Sequence, residues 1–161
     1  MKVGIRSMSL RALVGIALAA CSAPEPPGQD PAADLLAIHQ RVLEAHRSGD
    51  VEGWMDVEGD EYVSANGGSI TFPSLAERRA MREPYLRSTT FDAYRDLSEP
   101  IVEVSPDGQL GWVIAQVEVK GTRMTTDSTT ATIEDVWAWI ELYRKIDGQW
   151  KMVGNVSNRR E

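Results

Sequence analysis

Between residues 34 and 48 the apolar positions fall at Leu35, Ile38, Val42 and Ala45, with Leu36 and Leu43 widening the stripe. That spacing follows the helical period and predicts a first helix. Asp34 can cap its start, and Ser48-Gly49 can end it, because glycine accepts the left-handed conformation that follows a last turn. Asp50 can cap a short second helix carrying Val51, Trp54 and Val57 on one side, with Gly59 as its stop. In residues 61–72 the period changes to that of strands around Asn66-Gly67, a pair suited to the positive φ angles of a tight hairpin. Ser74 and Glu77 are spaced as a capping box for a third helix, which Pro84 is expected to end or kink. After Thr90 the pattern is strand-like, with runs near 91–104, 110–121, 131–146 and 150–158. Pro106-Asp107-Gly108 and Asp147-Gly148 punctuate them as turns, and residues 121–130 form a polar connection. Helices first, then a small hairpin, one more helix and a meander imply an α+β domain: about three helices packed on one face of a strongly curved antiparallel sheet.

The run from Ala131 to Ile146 adds a second expectation. Val136, Ala138, Ile140 and Leu142 alternate with Trp137, Trp139, Glu141 and Tyr143, so both faces are largely apolar or aromatic. A strand with one wet face would alternate apolar with polar. One face can pack on the helices; the other calls for a cover, and a partner sheet in a homodimer is the expectation.

The first twenty residues differ in charge and hydropathy from the rest. Lys2, Arg6 and Arg11 precede an apolar run from Ala12 to Ala20, and no acid occurs before Glu25. A basic stretch followed by so short an apolar run reads as an export signal, since spanning a bilayer takes about 20 apolar residues. Leu18-Ala19-Ala20-Cys21 resembles the lipobox of bacterial lipoprotein precursors. The resemblance implies that residues 1–20 are a signal peptide, that Cys21 carries a diacylglyceryl group, and that the protein is exported and lipid-anchored to a membrane of the cell envelope or periplasm. Residues 21–33, with four prolines between Ser22 and Pro31, read as a tether, and 34–161 as the domain.

Composition narrows the function. The 161 residues carry 17 Lys+Arg against 24 Asp+Glu, a net charge of -7, and one cysteine. Removing residues 1–20 deletes three basic side chains and no acidic one, leaving a net charge of -10. Such a chain is unsuited to neutralising phosphates, so nucleic acid is not an expected partner. A lone cysteine excludes an internal disulfide.

The order of elements, together with Asp147-Gly148-Gln149-Trp150-Lys151-Met152-Val153 near the end, resembles the nuclear transport factor 2-like superfamily, and particularly its SnoaL-like, polyketide-cyclase-like branch. Leu43 to Trp54, with Gly49-Asp50 between two helices, fits the helical start of that family. The resemblance covers about residues 34–161. It implies a cone of helices against a bent sheet with a pocket at the open end, in a superfamily that includes isomerases, dehydratases, cyclases, small-ligand binders and structural dimers. Many enzymatic members show a His or Asp on the final strand, where this chain has Gly154-Asn155-Val156-Ser157-Asn158.

Several chemical signatures are absent, among them Gly-x-Gly-x-x-Gly, Gly-x-Ser-x-Gly, Cys-x-x-Cys and His-Glu-x-x-His. His39 and His46 lie two helical turns apart, about 10 Å, too far to share a metal ion. They read as partly buried or surface residues bordering the stripe. The acidic run Asp50, Glu52, Asp56, Glu58, Asp60 and Glu61 lacks the spacing of a calcium loop and reads as a solvated edge. No metal or cofactor is called for.

A pocket remains. Trp54, Tyr62, Tyr85 and Trp112, with Trp137 and Trp139, offer aromatic walls, and Asn155 is a polar residue among apolar strand neighbours. Glu141, if it faces the cone, is the candidate acid or base, with Tyr94 or Tyr143 as donor to a developing oxyanion. The plainer alternative packs these rings in the core and pairs Glu141 with an arginine. The preferred reading is a lipid-anchored domain that binds a small apolar or amphipathic ligand, or an envelope partner, without catalysis. The alternative is a cofactor-free isomerase, dehydratase or cyclase.

Overall fold

The computed structural model describes residues 30–125 and 129–160. The signal segment, Cys21, the tether as far as residue 29 and positions 126–128 of the polar connection lie outside the described residues. No described helix is long and apolar enough to cross a membrane.

Helix α1 (Pro31–Ser48) starts earlier than expected. Asp30, not Asp34, is its cap, accepting from the Ala32 N–H, and Pro31 opens the first turn, where its missing N–H costs nothing. Residues 31–33 are therefore helix rather than tether. Gly49 ends α1 in the left-handed region, at φ 70°. Helix α2 (Val51–Met55) is capped by Asp50 and stops four residues short of Gly59, which lies instead inside strand β1 (Glu58–Asn66). The hairpin to β2 (Ser69–Thr71) turns at Gly67-Gly68, both at positive φ, so the two glycines take the strained positions and Asn66 pairs with Ser69.

Helix α3 (Leu75–Ser88) has the capping box of Ser74 and Glu77. It does not end at Pro84, which stands inside α3, because the following turn places Leu86 in the core and Tyr85 among other rings. Thr89 Oγ1 and Ser88 Oγ donate to the Tyr85 carbonyl and so finish the helix. The run expected over 91–104 is two strands, β3 (Thr89–Asp96) and β4 (Ile101–Val104). They pair with separate stretches of the long β5 (Leu110–Met124). Strands β6 (Thr130–Ile146) and β7 (Gln149–Arg159) are joined by Asp147-Gly148, both at positive φ.

The sheet order is β2-β1-β7-β6-β5-β3, with β4 also on β5. It is antiparallel except for one pair, β1 with β7, which draws the small hairpin into the main sheet. Helix α1 lies across the inner face. Beneath it one apolar cluster gathers Leu35, Ile38, Val42, Val113, Tyr143 and Trp150; a second gathers Leu43, Tyr94, Ala115, Val117, Val119 and Trp139. Gly111 is required where α1 approaches closely, since a Cβ there would stand 2.5 Å from Leu35 Cδ1.

Candidate functional site

Between the two apolar clusters runs a seam of charge. The alternation of β6 turns Trp139, Glu141 and Tyr143 toward α1, and the helical period brings His39 onto the same stripe as Leu35, Val42 and Leu43. His39 is 0% exposed and Glu141 2%. The Nδ1–H of His39 faces both carboxylate oxygens of Glu141, at 3.1 and 3.0 Å, and its Nε2–H donates to Asp96 Oδ1 at 2.9 Å. Glu141 also accepts from the Trp139 indole at 3.0 Å and from the Tyr143 hydroxyl at 2.8 Å. Asp96, nearer the surface, accepts from the Gln40 amide.

A neutral imidazole would turn one lone pair toward a carboxylate; only the imidazolium donates from both nitrogens. Burial by itself would lower the pKa of His39, but the hydrogen bonds and charges of Glu141, and then of Asp96, outweigh it and raise it to about 9. The protein therefore holds an imidazolium between two carboxylates in its core.

The second histidine is held in the opposite state. His46, 4% exposed, stacks on Tyr94 at 4.1 Å between ring centroids and tilts against Trp54 at 4.0 Å, with Tyr85 and Phe91 at its edges. Its Nδ1–H donates to the Val42 carbonyl one turn back. Burial lowers its pKa to about 4, with Arg82 and Arg47 adding to the fall. Both histidines are thus fully buried, against the expectation of partly buried or surface residues.

A third buried centre joins α3 to β1. Arg78 donates to Glu58 at 3.2 Å, to the Gly59 carbonyl at 2.7 Å and to that of Asp60, and Arg82 pairs with the other oxygen of Glu58. The two guanidinium groups lie over rings, Arg78 over Tyr62 and Arg82 over Trp54. Burial pushes the Glu58 carboxyl up and outweighs the pull of both arginines. Of the acidic run only Glu58 is internal; Asp50 caps α2 and Glu52 pairs with Arg79 at the surface.

The open space lies elsewhere. A groove of about 660 Å³ opens on the outer face of the sheet, away from α1, where β2 feeds into α3. Tyr62, Val63, Phe72, Trp112, Leu142 and Val153 line it, with Asp60, Glu61, Glu77 and Arg144 among its polar residues. Tyr143 also borders it.

The candidate residues therefore divide into three places. Glu141, Tyr143 and Trp139 meet in the seam, with Trp137 packed beside them. Tyr94, Tyr85 and Trp54 surround His46; burial raises the Tyr94 phenol well above its ordinary pKa. Tyr62 and Trp112 line the groove. Asn155 sits opposite Glu141 on β7 and takes no part in its hydrogen bonds. Glu141 is paired with a histidine, not with an arginine. Sequence reasoning left out His39, Asp96, Arg78 and Phe72 as site residues. His39 carried a signal, its place at helical spacing in the apolar stripe; Asp96 carried none.

No protein-family model matches the chain, and no curated protein does. Solved structures do. A nuclear transport factor 2-like protein from Cytophaga hutchinsonii superposes with a TM-score of 0.62 at 18% identity, over 78% of this chain and 95% of that one. A ketosteroid isomerase-like protein from Erwinia carotovora atroseptica superposes with a TM-score of 0.65 at 18% identity, over 83% and 99%. A nuclear transport factor 2-like protein of unknown function in nutrient uptake from Rhodospirillum rubrum gives 0.60 at 16%, over 80% and 99%. Identities this low speak to architecture alone, and what they establish is that this chain has the nuclear transport factor 2-like α+β cone fold.

Proposed function

We propose that the chain is an exported, lipid-anchored binding module that holds a small apolar or amphipathic molecule in its outer groove and performs no chemistry on it. The carrying observation is the separation of the groove from the buried carboxylate. The groove has the size and the apolar, aromatic walls of a ligand site. Glu141, by contrast, is buried and saturated by His39, Trp139 and Tyr143. A carboxylate in that state is occupied in holding an imidazolium and has no open side from which to take a substrate proton. Native mass spectrometry of the protein purified from its own envelope tests the reading: a retained small molecule, lost in Trp112→Ala, supports it, and an empty groove in freshly isolated protein counts against it. The anchor is tested separately with a fatty-acid probe, which should label the wild type and not Cys21→Ala.

One observation favours a second reading. Bonds run unbroken from buried Tyr143 through Glu141 and His39 to Asp96, whose side chain is partly exposed. A cofactor-free isomerase, dehydratase or cyclase would use that path for proton exchange at Asp96, its end nearer the surface. Conversion of the retained molecule by the wild type but not by Glu141→Gln would select this reading over the first.

The outer face also supports a homodimer. Ile101, Ile114, Ile140 and Val156 lie side by side across β4, β5, β6 and β7, and Ile101 is 58% exposed. Light scattering on the chain should give twice the protomer mass, falling to one in Ile101→Glu/Val156→Glu.

A further inference from the structure

Two features of the groove bear on what it would hold. The first is a pair of aromatic rings with open faces. Phe72 is 78% exposed and Trp112 37%, and neither ring takes part in a ring or cation contact among the described residues. Tyr62, also at the groove, differs, since the Arg78 guanidinium lies 4.6 Å from its ring centroid. The protein has thus placed its internal cations on other rings and left Phe72 and Trp112 uncovered.

The second feature is charge. Three carboxylates, Asp60, Glu61 and Glu77, line the groove against a single cation, Arg144, whose exposed pairing with Glu61 is loose at 3.5 Å. Glu77 is held ionised, because Ser74 donates to it from both its hydroxyl and its backbone N–H and lowers its pKa. No cluster of three or more potential metal-ligating side chains capable of holding a metal ion occurs among the described residues, so these charges are spread over the lining rather than converged on a point. A spread negative field beside open π faces suits a large, weakly hydrated cation better than a bare ion or an anion.

Resting on the binding reading above, we propose that the ligand of the groove is an organic cation, an alkyl- or arylammonium with an apolar body, whose charge sits near Asp60, Glu61 and Glu77 while its body contacts Phe72 and Trp112. The net charge of the whole chain, -7, acts in the same direction by drawing cations to the surface and repelling anionic amphiphiles.

The test uses three water-soluble probes of similar shape and different charge: benzyltrimethylammonium, phenylacetate and 2-phenylethanol, titrated calorimetrically into the full chain. The cation should bind tightest, about tenfold or more above phenylacetate, with a preference that shrinks as salt is raised. In Asp60→Asn/Glu61→Gln/Glu77→Gln the preference should collapse toward unity while 2-phenylethanol binds as before; glutamine at position 77 keeps the capping box of α3. Trp112→Ala should weaken all three probes. Equal binding of cation and anion by the wild type overturns the proposed ligand class and leaves groove binding standing. Binding of none of the three, or binding that Trp112→Ala does not alter, overturns the groove reading itself and this inference with it.

Discussion

Two histidines seven residues apart on one helix are held in opposite charge states. His39 and His46 share α1, are both buried, and each places Nδ1 against an acceptor. Their neighbours make the difference. Two carboxylates flank His39, so charge is the lower-energy state there. Rings surround His46 and the nearby charges are arginines, so neutrality is lower. Burial disfavours charge at both sites and decides the outcome only where no carboxylate opposes it. A cone of this kind can therefore close its interior either by packing rings or by building a satisfied ionic seam, and this chain does both under one helix.

The largest effect expected from breaking the contrast comes at Glu141. Glu141→Ala leaves the buried imidazolium with Asp96 alone and strands the His39 Nδ1–H and the donors of Trp139 and Tyr143; it should cost about 3–5 kcal/mol, read as a fall in the urea midpoint. The paired replacement His39→Leu/Glu141→Leu removes both charges together and should cost less than Glu141→Ala alone, a non-additivity that measures the coupling.

The next effect is the pH dependence of stability. The folded pKa of His39, about 9, lies above the unfolded value near 6.5, so the native state binds the extra proton in between. Its contribution is fully present below about pH 6.5 and is lost as pH rises through 9, about 3 kcal/mol in all. The folded pKa of His46, about 4, lies below its unfolded value, so the unfolded state binds the extra proton. Its contribution is fully present above about pH 6.5 and is lost as pH falls to 4, again about 3 kcal/mol. Unfolding free energies measured across this range should therefore peak near pH 6.5, with independent acid and alkaline limbs.

Smaller substitutions sharpen the same contrast. Tyr143→Phe removes one donor to Glu141 without opening the seam and should cost about 1–2 kcal/mol by thermal or chemical unfolding. His46→Phe keeps the ring stack and gives up one hydrogen bond; it should change stability at pH 7 by about 1 kcal/mol or less and flatten the acid limb alone. His39→Phe cannot do the equivalent, because it abandons two carboxylates.

Much of the architecture is written locally. Gly49 after α1, the Ser74–Glu77 box and the Asp147-Gly148 turn each act within a few residues, and the structure has each of them where the sequence places it. Elsewhere distant packing overrules local preference. Pro84 reads as an end or a kink, and the burial of Leu86 carries α3 past it to Ser88. Glu58 reads as part of a solvated edge, yet Arg78, twenty residues on, takes it inside. The seam is harder still to read, because Asp96 and Glu141 lie 57 and 102 residues from His39 and only the curvature of the sheet brings them together. What the sequence does display is the position of His39 in the apolar stripe, and a polar residue there demands a partner.

An NMR titration of the two imidazoles shows whether α1 holds one histidine charged and one neutral. His39 should stay protonated through neutral pH and titrate near 9, while His46 should stay neutral down to about 4. A His39 midpoint at or below the ordinary value of about 6.5, or two histidines titrating together, would contradict it.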